Sequence, residues 1–528
     1  MTDSLSDDER IGHRMYAPKR IREQPGMFGA LQPRVPSPVT SPFRPQVEPE
    51  HLADDLDDAL PRRPPDSQPS FQPQPRHSDF FWLKLINRIV VAVASTALIV
   101  TIGLITKPIW DSWVTQPPAP ASRLSDRLEI GNAPVGTATG IATSTRAQQA
   151  SSKNSVQGVT ENEVRFGISA PFSGAAKELG HHIKLGIEAA FKVANTNGGV
   201  HSRQIELVAV DDGYEPARTT ETMKQLYEQN RVFGMVGNVG TPTAMVALPY
   251  ALERRMLFYG AFTGAGLLRR DPPDRYVFNY RASYAEETDA VVRYLVKIRR
   301  VRPDQIAIFA QQDSYGDSGF AGVAKAIRSL QGGDESTILR LNYKRNTVDV
   351  DEAVAQLQRS RIPIKAVIMV PTYRAAARFI EKTRDLSPNM IYTNVSFVGS
   401  TALSNELMLL GPKYANGVIV TQVVPAVEGH SSVVLDYKSA LAKFFPGEPP
   451  DYVSLEGYIA AKILIEALKR NGPQLDTETL VEALENLREL DVGLGTPVTF
   501  GRAEHQAVHK VWGTQLDATG RYQPIDLQ

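Results

Sequence analysis

Val232-Phe233-Gly234-Met235-Val236 is a short apolar run, and Gly237-Asn238-Val239-Gly240-Thr241-Pro242-Thr243 follows it directly. A helical pattern, Pro242–Arg254, comes next, and then a second apolar run, Leu257-Phe258-Tyr259, closed by another glycine turn, Gly260-Ala261-Phe262-Thr263-Gly264-Ala265-Gly266. Strand, glycine turn, helix and strand in that order spell a β–α–β unit with a buried parallel pair. The texture extends to both sides of this unit, beginning near Val164. Strand-like runs recur at Val164–Ser169, Ile205–Val210, Gln305–Ala310, Ala366–Val370, Phe397–Gly399 and Val418–Val423. Helical patterns lie between them at Lys184–Asn195, Ala217–Gln229, Ala285–Arg299, Gly319–Ser329, Val350–Arg359 and Ala375–Thr383. Apolar strands alternating with amphipathic helices predict parallel sheets covered on both faces. Residues 164–528 are too many for one ordinary core, so two doubly wound α/β lobes are expected.

Doubly wound sheets take ligands at the carboxyl ends of their strands, where helix amino termini face a crevice. The two glycine turns stand at such ends. Their glycines let backbone approach a ligand; Thr241 is placed to cap the next helix and Pro242 to fill its first position. A helix start offers free N–H groups and partial positive charge, a setting for a carboxylate. The same turns would serve equally as ordinary β–α connections.

Further motifs fall in a recognisable order. They are Val164-Arg165-Phe166-Gly167-Ile168-Ser169-Ala170-Pro171-Phe172-Ser173-Gly174, Asn195-Thr196-Asn197-Gly198-Gly199-Val200, Asp211-Asp212-Gly213-Tyr214-Glu215-Pro216, and Ile308-Phe309 with Tyr315-Gly316. In that order and spacing, residues 162–528 resemble the type 1 periplasmic solute-binding proteins, the leucine/isoleucine/valine-binding group. The resemblance implies two lobes joined by three crossovers, lobe 1 about 162–281 and 425–501, lobe 2 about 282–424 and 502–528. It implies that the lobes close on a small ligand. In amino acid-binding members, the turn matching Thr241 holds the ligand carboxylate. The turn matching Ala261, Phe262 and Thr263 gives a carbonyl to the ammonium and a hydroxyl to the carboxylate. Leu179, Tyr315 and Tyr373 match further ligand contacts, with Thr372 an alternative to Tyr373.

One position departs from the family pattern. Thr401, after Phe397-Val398-Gly399-Ser400, stands where the family carries the acid that pairs with the ligand ammonium. A threonine supplies no counter-charge, and a desolvated ammonium without one costs several kcal/mol. Amides, urea-like compounds and carboxylates therefore stand beside amino acids as ligand classes. Arg281 lies where the chain first crosses between lobes; it suits either an anionic ligand or a structural pair with Glu286 or Glu287.

The chain has 528 residues, with 58 basic and 58 acidic side chains and no cysteine. Balanced charge gives no field for nucleic acid. Absence of cysteine removes disulfides, thiolate metal sites and cysteine-linked lipid anchors. No G-x-S-x-G, H-E-x-x-H or G-K-[ST] motif appears. His505 and His509 have the spacing of a helical metal pair. Val508-His509-Lys510-Val511-Trp512 reads as a strand, which separates them and favours a surface role. Neither an enzyme nor a cofactor is expected.

Residues 1–79 hold 14 of the 37 prolines and read as a disordered, Pro-rich cytoplasmic tail. Ile89–Thr106 is uncharged, and Trp82, Trp110 and Trp113 flank it. That pattern predicts one transmembrane signal anchor over 80–110. Arg76, Lys84 and Arg88 precede it and Lys107 alone follows closely, which puts the amino end in the cytoplasm. Residues 111–161 read as a flexible linker, and 162–528 as a periplasmic ligand-binding domain in a single-pass inner-membrane protein. The expected function is a membrane-tethered receptor delivering a small polar ligand to an ABC-type permease. The tail's partner is unknown. Two alternatives remain, a sensor signalling across the membrane and a ligand-free envelope scaffold.

Overall fold

The computed structural model describes residues 156–330 and 334–528. The predicted tail and membrane span, and all but the last residues of the linker, lie outside the described residues. Among the described residues no helix is long and apolar enough to cross a membrane.

The first sheet contains β1 (Glu163–Ala170), β2 (Gln204–Asp211), β3 (Gly234–Val236), β4 (Leu257–Tyr259) and β5 (Val277–Phe278), all parallel in the order 2-1-3-4-5. The second sheet repeats that order with β6 (Ile306–Gln311), β7 (Leu339–Tyr343), β8 (Ala366–Val370), β9 (Ile391–Asn394) and β10 (Ile419–Gln422), giving 7-6-8-9-10. An antiparallel pair, β11 (Trp512–Leu516) and β12 (Tyr522–Ile525), extends it beyond β10. Each sheet therefore has its switch point between the first and third of its parallel strands, and the two crevices there face the same seam.

The helices of lobe 1 are α1 (Lys177–Thr196), α2 (Pro216–Lys224) and α3 (Thr241–Glu253). Lobe 2 carries α4 (Tyr284–Arg293), α5 (Ser314–Ser329), α6 (Asp351–Gln358), α7 (Tyr373–Arg384), α8 (Ser400–Leu410) and the single turn α9 (Pro412–Ala415). Then come α10 (Ser432–Phe444), α11 (Tyr452–Asn471) and α12 (Thr477–Glu485), of which α11 packs along α1. Glycine makes that crossing close: a Cβ on Gly186 would lie 1.8 Å from the Ser454 carbonyl oxygen. The chain passes between lobes near Asn279–Arg281, between β10 and α10, and near Gln506–Val508. The first and last passages run side by side, with Ala507 N donating to Asn279 O and Val508 N to Tyr280 O.

Three expectations change. α1 begins at Lys177, seven residues before the predicted Lys184, because Gly180 lets its first turn sit on the Pro171 carbonyl. Phe397–Gly399, expected as a strand, belongs to a tight 3₁₀ turn after β9; Gly399, at φ 83°, starts α8 there. The strand read over Val508–Trp512 starts only at Trp512, as β11. β5, β7, β9, β12 and the helices from α8 onward had no counterpart in the sequence reading.

Candidate functional site

The lobe 1 side of the seam is built by the two glycine turns. Gly240, at φ 105°, caps α3; a Cβ there would lie 2.3 Å from the Tyr214 ring. The predicted cap, Thr241, is instead the first helical residue, with Pro242 second. Its side chain makes no cap bond because it points across the turn: Thr241 Oγ1 lies 2.7 Å from Thr263 Oγ1. The N–H groups of Thr241 and Thr243 have no partner among the described residues, as the first turn of a helix requires. Phe262 N donates to Asn238 O (2.8 Å) and Gly240 N to Phe262 O (3.1 Å), so the two turns form one unit. The Ala261 carbonyl accepts from Thr263 N at 2.8 Å. Thr241 and Thr263 are completely buried.

What buries them comes from lobe 2. The Tyr284 hydroxyl, at the first residue of α4, lies 3.3 Å from Thr263 Oγ1 and also within bonding reach of Thr241. Burial pushes its pKa up, so it stays a neutral phenol. Phe397 stacks on Phe262 with ring centroids 5.0 Å apart and lies 4.6 Å from the Tyr315 ring and 6.2 Å from Tyr214. Tyr315, a predicted contact, is fully buried and donates to the Pro371 carbonyl (3.3 Å). Tyr214 accepts from Gln311 Nε2 across the seam at 3.2 Å. Offset-stacked and edge-on aromatic pairs of this kind are worth about 0.5–1.5 kcal/mol each beyond the area they bury. Tyr284 and Phe397 were not among the predicted site residues. Neither carries a local signal, because only the folding of lobe 2 against lobe 1 brings them to the threonines.

The other predicted contacts gather elsewhere along the seam. Leu179 sits against Gly399, with Tyr373 close behind. The Tyr373 hydroxyl is buried without a hydrogen-bond partner. Thr401, in the first turn of α8, faces Asp451, the N-cap of α11. Asp451 is buried, accepts the capping bond from Ser454 N at 2.9 Å, and lies 3.3 Å from His182 Nδ1. Burial opposes the charge on both groups, but each stabilises the other, so His182 is raised and Asp451 lowered. The threonine that replaces an acid thus has a carboxylate beside it.

Arg281 is fully enclosed at the first crossover. Its Nη2 donates to Glu287 Oε1 (2.8 Å) and to Ser396 Oγ, and Glu456 Oε1 lies 3.5 Å from Nη1. Nη1 has no hydrogen bond. Glu287 also accepts from Ser396 N (2.7 Å) and the Thr421 hydroxyl, tying α4 to the turn after β9 and to β10. Burial works against the Arg281 charge, but Glu456 and Glu287 outweigh it and its pKa rises. Glu456 is pushed up to about 7, chiefly by burial. The guanidinium also lies 5.2 Å from the centre of the Phe262 ring. Of the two acids expected beside Arg281, it pairs with Glu287.

The quoted aspartates shape a loop. Asp211 accepts from Phe172 N (2.8 Å), Ser173 and Gly213 N, and those bonds hold it far below the usual carboxylate range despite burial. Asp212 accepts from Ser169, Thr219 and Tyr214 N. The histidine pair is split by its backbone: His505 is buried and stacks on Phe278 at 3.9 Å, contrary to the surface role expected for it, while His509 is exposed and pairs with Glu286 at 2.6 Å. Among the described residues no group of three or more His, Asp or Glu side chains forms a metal cluster.

Residues 163–521 match the family model described as periplasmic binding protein. The chain is 24% identical to Leu/Ile/Val-binding protein homolog 3 of Brucella melitensis over 337 residues, 63% of this chain and 86% of the relative. It is similar to the crystal structure of a possible leucine/isoleucine/valine-binding protein from Rhodopirellula baltica, at 41% identity and TM-score 0.66 over 71% of this chain and 98% of that one. The fold is shared with a branched-chain amino acid transporter substrate-binding protein of Streptococcus pneumoniae solved with isoleucine, at 16% identity and TM-score 0.58 over 69% and 99% of the two chains. From the repeated 2-1-3-4-5 sheets to the paired glycine turns on the seam, and over more than half its length, this chain belongs to the type 1 periplasmic binding proteins, as a relative of proteins named for leucine, isoleucine and valine binding.

Proposed function

We propose that this chain is the solute receptor of an ABC-type importer, held by the helix predicted over residues 80–110 with its binding domain on the outer face of the inner membrane. One observation carries the ligand reading: two threonine hydroxyls, Thr241 and Thr263, converge at 2.7 Å beside the unpartnered N–H groups of α3. Donors grouped at a helix start suit a carboxylate or carboxamide end. Phe262 and Tyr214 from lobe 1 and Tyr315 from lobe 2 supply walls for the rest of a small molecule. Asp451 beside Thr401 is a counter-charge within the same seam, so amino acids belong in the panel with amides and carboxylates. Related proteins whose printed names refer to leucine, isoleucine and valine point to the branched-chain class first.

The test is a thermal-shift and titration series on the chain with branched-chain amino acids, amides and small carboxylates. A ligand that binds only the folded state adds about 2.7 kcal/mol at a hundred times Kd. No shift from any class would leave the scaffold reading. That second reading has an observation of its own, since Tyr284 already satisfies the two threonines from within. Topology is tested separately: a reporter active only outside the membrane, fused after Gln528, should work, and inactivity there would overturn the orientation.

A further inference from the structure

The two threonines that mark the seam are completely buried, and so are the groups that cover them. Tyr284 and Phe397 both come from lobe 2, yet each is seated in lobe 1. The Tyr284 hydroxyl lies 3.3 Å from Thr263 Oγ1, and the Tyr284 ring packs so tightly that a Cβ on Gly264 would fall 2.6 Å from its Cδ1. The Phe397 ring lies flat on Phe262, 5.0 Å between centroids and 28° between planes, with Tyr214 and Tyr315 on its other sides. Tyr284 crosses the Phe397 ring at 83°, so the two side chains brace one another. A polar tip on the hydroxyl pair and an apolar body against Phe262 are the two halves of what a small carboxylate or amide with an apolar side chain would present there.

We infer that Tyr284 and Phe397 act as a built-in occupant of the cleft, holding the lobes closed without solute and yielding their places when a solute binds. The inference deepens the receptor reading: the yielding to solute rests on that reading, while closure is a property of the ligand-free chain and is tested apart from it. Phe397 is suited to the role. It stands in the 3₁₀ turn Ser396–Val398, not inside a strand, and its neighbour Ser396 is tied to Arg281 and Glu287 at the hinge. Opening the hinge therefore withdraws the ring. Around the mouth, closure is completed by Arg345 with Glu215 (2.9 Å) and by Asn346 Nδ2 donating to the Gly213 carbonyl (3.1 Å).

The chain has no cysteine, so two introduced ones become its only labelling sites. Glu221 in α2 and Val348 after β7 are exposed and lie on opposite lobes near the mouth. Spin labels at Glu221→Cys and Val348→Cys of the full chain report the gap between them. Without any solute, the otherwise native chain should give a single short distance, and Phe397→Ala should lengthen it by several ångströms. Phe397→Leu, which keeps the apolar bulk, should give an intermediate value and serves if the alanine variant lacks native circular dichroism. A ligand-free chain that is already open, or a folded Phe397 variant with an unchanged distance, overturns the inference. Once a solute is in hand, Phe397→Ala should bind it more tightly, about tenfold where the open form is a tenth of the population. Equal or weaker affinity also overturns it, because Phe397 would then be a wall of the site and not its occupant. Failure of the receptor reading is seen separately, as no thermal shift from any compound in either the native chain or Phe397→Ala.

Discussion

Two buried regions lie side by side between the lobes, and they are held by different physics. At the hinge, Arg281, Glu287 and Glu456 form a charged cluster with Ser396 and Thr421. A few residues away, the seam is closed by Phe262, Phe397, Tyr284, Tyr315 and the threonine pair, all neutral. Water entering the hinge would meet groups whose geometry depends on its exclusion. Water entering the seam meets hydroxyls and ring faces that it can solvate. The hinge is thus built to persist, while the seam can part at the expense of a few stacking contacts. A protein that opens and closes needs both, and it needs them kept distinct.

The largest expected effect tests the hinge. Glu287→Ala leaves the enclosed Arg281 guanidinium with Glu456, at 3.5 Å, as its remaining carboxylate, and a broken buried pair costs about 3–5 kcal/mol. Urea unfolding of the variant measures this, and a loss under about 1 kcal/mol would mean that the cluster is not what joins the crossovers. Two phenylalanines then set a lobe core against the seam. Phe309 in β6 stacks on Phe379 at 4.2 Å inside lobe 2, and Phe309→Ala should cost about 3–5 kcal/mol. Phe397→Ala should cost less than about 3 kcal/mol, the lower edge of that range, since the lobes can separate around it. Equal losses would erase the distinction between core and seam.

The third prediction is a pH dependence. The Glu456 carboxyl is raised from 4.5 to about 7 in the folded state, so between those values the folded chain holds a proton that the unfolded chain has lost. Stability therefore falls as pH rises through that window, by about 3 kcal/mol in all. Glu456→Gln should remove this part of the slope, read as the difference between the urea midpoints of the two proteins at pH 5 and pH 7.5. His182, raised by Asp451, contributes in the same direction in both proteins and cancels. An unchanged slope would place the Glu456 proton elsewhere. The smallest effect belongs to the mouth, where Arg345 and Glu215 are partly exposed; Arg345→Ala should cost no more than about 1 kcal/mol. A larger loss in thermal melts would move part of the closure from the aromatic seam to the rim.

Much of lobe 1 was legible because its signals are local. The run Val232–Val236, the glycine turn and the helix after it lie within about two dozen residues, and α3 begins one residue from the predicted start. The same holds for the place of Thr241 and Thr263, each at the end of its strand. What escaped was nonlocal. Phe397 looked like strand because it is apolar among apolar neighbours; its turn is set by Gly399, whose missing Cβ leaves room for Leu179 of the other lobe. β11 and β12, short and partly polar, acquire their register only in the sheet, β11 from β10 and β12 from β11. His505 and His509, a pair in sequence, part because one side chain enters the core and the other faces water.

The sequence by itself determined the alternation of strands and helices, the family, the balance of charge and the two turns that carry the threonines, since these follow from periodicity and backbone chemistry over short spans. The tertiary structure alone decided which lobe 2 side chains meet those threonines, which acid Arg281 pairs with, and that a carboxylate, Asp451, lies next to Thr401. The contacts of the seam and hinge reach across the chain, 135 positions between Phe262 and Phe397 and 175 between Arg281 and Glu456. Their identity depends on how the two sheets settle against each other, and no local pattern in the chain encodes that fit.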